Sequence, residues 1–263
     1  MEENKKFKLV SSKKTRYLLP NILTIGGVCL GISSIKFSID GNYSLAVIFI
    51  LFAAILDALD GRVARLIKGT SEFGKELDSL TDFVSFGIAP VFILYFWELN
   101  TYGKLGWAIT LIYSVCCVLR LARFNLTKIS NQQLWKNNYF EGVPAPAGGI
   151  LILMPLIFEL SGLELNMDLK NLTPFLTILV AILLVSKIPT LSLKKISISP
   201  KTTVFILLGI GTIFISLLFY TFHTLLFFGA VYLVSLPASF FMYRNQSQKE
   251  NLETSEDEHE DVL

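Results

Sequence analysis

Apolar residues fill the chain in long blocks, and short polar stretches separate them. A helix needs about 20 mostly apolar residues to cross a bilayer. On that measure the pattern predicts eight spans, at 21–38, 43–63, 83–99, 105–124, 147–163, 172–189, 202–221 and 223–243. A very short turn near His223 separates the last two. The expected fold class is all-α: a polytopic integral membrane helical bundle of about eight transmembrane helices, with a short N-terminal interfacial segment. Composition agrees. The 263 residues are 52% hydrophobic and 17% charged, with 21 Phe, and the mean hydropathy is +0.58. Soluble domains do not have that profile.

Charge supplies an orientation. All of the 23 Lys and Arg except Lys36, Lys104 and Lys170 fall on one side of the predicted spans. Basic residues accumulate on the cytoplasmic side, so both termini are expected there, in the cytoplasmic membrane. An even number of spans requires the same. The basic and apolar run "KKFKLVSSKKTRYLLP" opens the chain, and residues 1–18 are read as a basic segment. It either lies along the anionic leaflet as an interfacial helix or serves topology alone. The first apolar run is long and lacks a small-residue cleavage site, so it is read as a true span. Residues 245–263 form an acidic tail expected to be disordered. The polar chemistry concentrates within 19–165, and 166–244 add further spans.

Several function classes drop out. Cys29, Cys116 and Cys117 all lie inside apolar spans and read as small packing residues. The two histidines, His223 and His259, have no partner residues nearby in the sequence, which removes most zinc and Ser-His-Asp schemes. No nucleic-acid partner is expected.

One polar stretch remains, "DALDGRVARLIKGTSEFGKELDSLTD" at 57–82. Asp57, Asp60, Gly61 and Ala64 are spaced to share one helical face, with Arg65 at its edge. Gly74, Asp78, Asp82 and Ser85 repeat that logic on a second helix. Four converging carboxylates repel one another and lose hydration. Divalent cations remove both penalties, and hard oxygen donors without His or Cys suit Mg²⁺ or Mn²⁺. Gly61 and Gly74 leave bare backbone for the close approach of a ligand, and Arg65 offers a forked donor to phosphate. The parts suit metal-assisted phosphoryl transfer.

The stretch reads D-x-x-D-G-x-x-A-R-x8-G-x-x-x-D-x-x-x-D without departure, and it resembles the signature of the CDP-alcohol phosphatidyltransferases. The resemblance implies a reaction at a dimetal site facing the cytoplasm. An alcohol attacks the lipid-side phosphorus of a nucleotide-activated lipid there, and CMP leaves. It implies metal binding by Asp57, Asp60, Asp78 and Asp82, with Asp82 also the general base. It places Gly61, Ala64, Arg65 and Gly74 in the cytidine diphosphate pocket, and it implies a homodimer. Three further segments, "LPNILTIGGVCLGISSI", "RLARFN" and "FEGVPAPAGG", are similar to the bacterial and archaeal (type II) phosphatidylserine synthase branch of that family. The likeness covers roughly 18–160. It implies CDP-diacylglycerol and L-serine as substrates, with Arg120, Arg123 and Asn125 available for a phosphate or the serine carboxylate. Arg120 and Arg123 equally satisfy the positive-inside pattern. Glycerol phosphate, inositol phosphate and choline stay open as acceptors. An ion-coupled transporter is a rival reading, although such carriers place their carboxylates near the midplane in repeated halves. A prenyltransferase would need a second aspartate cluster.

Overall fold

The computed structural model describes residues 18–67, 69–127, 139–163, 169–186, 188–191 and 200–260. The expected interfacial segment, 1–18, lies outside the described residues except for Leu18, which opens the first helix. Helix α1 (Leu18–Ile39) and helix α2 (Tyr43–Leu66) form a hairpin. The turn between them uses Gly41 at φ 77°, and the Asn42 side chain caps α2 by accepting from the Leu45 N–H at 3.2 Å.

The next span is one continuous rod, Glu72–Trp97. It begins as α3 (Glu72–Asp82), widens into a π turn (Phe83–Ile88) and continues as α4 (Ala89–Trp97). This rod is the centre of the bundle: 50% of its most apolar stretch is buried, against 28% for α1 or α2. Phe86, Ala89, Val91, Ile93 and Leu94 are sealed from solvent. A regular helix through Ser85 was expected. Instead the π turn changes the register after Asp82, and Ser85 faces α1, donating to the Gly27 carbonyl at 3.2 Å.

Helix α5 (Lys104–Thr127) packs against the π turn and against α8 (Thr173–Val185). The span expected at 147–163 is two short helices, α6 (Ala145–Ile152) and α7 (Met154–Leu160). Pro155 explains the break, since it has no N–H to give to the Leu151 carbonyl. Strands β1 (Tyr139–Glu141) and β2 (Pro189–Leu191) pair antiparallel, with Phe140 opposite Thr190, a small addition to an otherwise helical chain. Helix α9 (Pro200–Phe219) meets α10 (Thr221–Glu260) across Tyr220 alone. Helix α10 also packs against α7 and β2, whereas α9 packs mainly on α10 and leaves Phe205, Leu207 and Phe219 outward. The backbone of α10 stays helical to Glu260, where an unstructured tail was expected; 245–260 carry neither Gly nor Pro and many good helix formers.

Each of the eight apolar blocks is thus helical. Among the described residues, five helices are long and apolar enough to cross a membrane, and Leu169–Val185 and Leu207–Phe219 are shorter apolar ones. The molecule is a polytopic helical membrane protein. Its glycines mark the tight contacts. A Cβ on Gly31 would lie 2.9 Å from Ser85 Oγ and 3.0 Å from Ser85 Cα. Gly148 and Gly149 press in the same way on Leu184 and Pro90. Gly31→Leu therefore forces α1 off the π turn and is expected to cost about 1–3 kcal/mol. Gly211→Leu, where a Cβ meets nothing within 4 Å, is the matched control. Thermal unfolding in detergent should show a lower midpoint for the first variant and little change for the second.

Candidate active site

Helix α2 ends where α3 begins, and both ends are tied down. The Gly69 N–H donates to the Ala64 carbonyl at 2.8 Å, closing α2. Ser71 opens α3, its hydroxyl accepting from the Gly74 N–H at 3.0 Å. This short connection sets the two carboxylate-bearing faces against each other. Oxygens of Asp57, Asp60 and Asp78 all lie within 4.8 Å of one another. Asp82, one turn beyond Asp78, completes the group beside Asp57.

Each carboxylate has a different setting. Asp60 is buried, 4% exposed. Its Oδ2 accepts from the Thr24 hydroxyl of α1 at 2.6 Å, and its carboxylate also accepts from the Gly61 N–H. Asp82 Oδ1 is buried with no hydrogen-bond partner. Two carboxylates as close as Asp57 and Asp82 repel unless a proton or a cation lies between them. A buried acceptor left bare costs free energy of its own. A hard cation among Asp57, Asp60, Asp78 and Asp82 resolves both, so the residues present fit a divalent metal.

Beside the carboxylates lies a cavity of ≈ 260 Å³. Asp60, Gly61, Ala64 and Arg65 of α2 form one wall, and Gly74, Lys75 and Asp78 of α3 another. Gly69, Thr70 and Ser71 close the loop side, and Pro20, Asn21 and Thr24 of α1 close the third side. The pattern therefore anticipated the α2 and α3 walls but not α1, the loop or Lys75. A signal existed: Asn21 and Thr24 are polar residues three apart, on one face of an apolar span.

The three polar residues of α5 separate. Arg120 is buried, 9% exposed, with its guanidinium 5.2 Å from the Phe124 ring and the Asp82 and Asp57 charges within reach. Arg123 Nη1 donates to the Val185 carbonyl at 2.7 Å, and Asn125 Nδ2 donates to Ser79 Oγ at 3.0 Å. These two tie the end of α5 to α8 and α3. None of the three lines the cavity.

Comparison with known proteins bears on this geometry. The description "CDP-alcohol phosphatidyltransferase" fits residues 17–183, more than half of the chain. The chain belongs to the CDP-alcohol phosphatidyltransferase family. A family relative from Mycobacterium leprae (strain TN), named CDP-diacylglycerol--serine O-phosphatidyltransferase, is 40% identical over 187 residues, 70% of this chain and 61% of its own length. One of the same name from Helicobacter pylori (strain ATCC 700392 / 26695) is 32% identical over 199 residues, covering 76% and 82%. An archaetidylserine synthase from Methanothermobacter thermautotrophicus is 33% identical over 175 residues, covering 65% and 68%. The chain thus spans 61% of the length of the M. leprae relative. Every element that meets at the cavity lies inside the family match, while α9 and α10 lie beyond it.

The cavity has a bare patch at Gly61, where a Cβ would meet nothing within 4 Å. Gly61→Leu should fill that space with a side chain while disturbing no packing. Titration calorimetry with a cytidine diphosphate-containing ligand is expected to show binding weakened by at least about tenfold, a loss of ~1.4 kcal/mol, with the unfolding temperature unchanged.

Proposed function

We propose that this protein transfers the phosphatidyl group of CDP-diacylglycerol to the hydroxyl of L-serine and releases CMP. The observation that carries the reading is the Asp57, Asp60 and Asp78 cluster opening onto a glycine-walled cavity. The names of the relatives support the acceptor. They differ in the lipid and share serine.

In this reading the diphosphate and cytidine enter the cavity between α2 and α3, against Gly61, Ala64, Gly74 and Arg65. Backbone at the two glycines permits close approach, and Arg65 at the rim offers its fork to phosphate oxygens. Asp57, Asp60, Asp78 and Asp82 would hold two Mg²⁺ or Mn²⁺ ions. Such ions, when bound, neutralise charge on the diphosphate and on the departing CMP. Thr24 and the Gly61 N–H fix the Asp60 carboxylate. Asp82 takes the proton of the serine hydroxyl. The hydroxyl oxygen then bonds the phosphorus carrying the diacylglycerol, and the bond from that phosphorus to the CMP oxygen breaks. Arg120, the cation buried nearest Asp82, steadies the carboxylate of the incoming serine; Arg123 and Asn125 keep the end of α5 in place for it. The site faces the cytoplasm, with both termini on that side, and the enzyme works as a homodimer in the cytoplasmic membrane. A surface site lets the acyl chains stay in the bilayer while the headgroup reacts.

Purified protein with Mg²⁺ or Mn²⁺ should release CMP from CDP-diacylglycerol on adding L-serine, and none in excess EDTA. Robust release with glycerol 3-phosphate and none with serine would remove the acceptor assignment. Asp82→Asn is expected to lower turnover by ~10²–10⁴ without rescue by added metal. Asp78→Asn should recover in part as metal is raised. Near wild-type turnover by Asp82→Asn would show that another group takes the proton.

A further inference from the structure

The π turn begins at the residue after Asp82 and ends at α4, whose Ala89, Val91, Ile93 and Leu94 are sealed from solvent. Its defining bond runs from the Ala89 N–H to the Val84 carbonyl, five residues back. Pro90 follows. It has no N–H to give to the Phe86 carbonyl, four residues back, so a regular helix cannot satisfy that oxygen. The partner comes from another helix. The Tyr113 hydroxyl of α5 donates to the Phe86 carbonyl at 3.0 Å, and Ser114 Oγ of α5 donates to the Gly87 carbonyl at 3.2 Å. Tyr113 is completely buried.

The neighbours make room for the wider turn. Gly31 of α1 lies against Ser85 on one side. Gly87 lies against Cys117 of α5 on the other, where a Cβ would stand 3.0 Å from the sulfur. A π turn holds one residue more than an α turn and is often found at functional sites. Closing it to α geometry would rotate one flank against the other by roughly 100°. The packing of Ile93 and Leu94 holds α4 in place, so the rotation would fall on α3, and Asp78 and Asp82 would swing away from Asp57 and Asp60.

We propose that Tyr113 is a positioning residue for Asp82: by capping the carbonyl that Pro90 leaves bare, it holds open the π turn that aims Asp82 at the other carboxylates. The proposal rests on the role of Asp82 given above. It does not depend on which alcohol is the acceptor, because turnover can be read with any alcohol that releases CMP from the wild-type protein.

The test uses full-length protein in detergent and three variants, with turnover, CDP-diacylglycerol affinity and thermal midpoint measured for each. Tyr113→Phe removes one oxygen. It is expected to lower kcat roughly 10- to 100-fold. Lipid affinity should weaken as well, because the rotation carries Gly74, Lys75 and Asp78 of α3 off the cavity wall, and the midpoint should fall. Tyr113→Phe combined with Pro90→Ala restores an N–H that reaches the Phe86 carbonyl in α register. The midpoint should recover while kcat stays low. Recovery of both together would overturn the proposal, because Tyr113 would then be serving stability alone. Wild-type kcat in Tyr113→Phe would overturn it as well. Should Tyr113→Phe alone not fold, the double variant decides: reduced kcat at a wild-type midpoint supports the proposal, and wild-type kcat sinks it. Asp82→Asn, measured alongside, separates a failure of this proposal from a failure of the Asp82 assignment.

Discussion

Mutual repulsion among four carboxylates is the constraint around which this molecule is arranged. Asp57, Asp60 and Asp78 crowd within 4.8 Å, and Asp82 adjoins Asp57. Left to themselves, such groups separate and hydrate. Here they are carried on rigid helices whose packing is decided elsewhere. The short α2–α3 connection fixes how far apart the two faces can be, and α1, lying against both, supplies Thr24 to one of the acids. The cohesion that opposes the repulsion is apolar and remote, in the sealed side chains of α4 and its neighbours. A divalent cation converts the imposed arrangement from a cost into a binding site.

The same logic explains why the wall facing the ligand is poor in side chains. Gly61 of α2 and Gly74 of α3 both line the cavity. A Cβ on Gly74 would approach Ser71 Oγ at 3.1 Å and Asn21 Oδ1 at 3.2 Å, so that glycine serves the helix cap and α1 together. Gly61 touches nothing, so its lack of a side chain keeps space open rather than permitting contact. Two glycines of one motif therefore do different physical work.

Much of this was legible from the chain. Apolar block length located the five helices that are long enough to cross, because the bilayer imposes a minimum length. The i, i+3 and i+4 spacings located the carboxylate faces, because α2 and α3 are regular where those residues lie. Legibility failed where regularity failed. The π turn and the break at Leu153 arise from Pro90 and Pro155 acting on carbonyls four residues earlier, and a hydropathy window averages over both. The contribution of Thr24 was missed because it depends on which helix packs beside α2. Arg120, Arg123 and Asn125 look alike as polar residues at one helix end, yet only Arg120 turns toward the acids. That difference is set by where α8 and α3 pack against the end of α5, which carries no marker in the local sequence.

The bond from Tyr113 to the Phe86 carbonyl has a consequence for the order in which the protein is made. Chains are synthesised from the N-terminus, and a bilayer penalises any backbone group without a partner. When α4 first enters the membrane, α5 has not yet emerged. The Phe86 carbonyl then lacks its phenol, and the Arg120 charge is still missing beside Asp82. The four aspartates are all present by residue 82, but the helix that carries Tyr113 and Arg120 follows some thirty residues later. Assembly of the acidic centre is therefore completed by the insertion of α5, not by the synthesis of the motif itself.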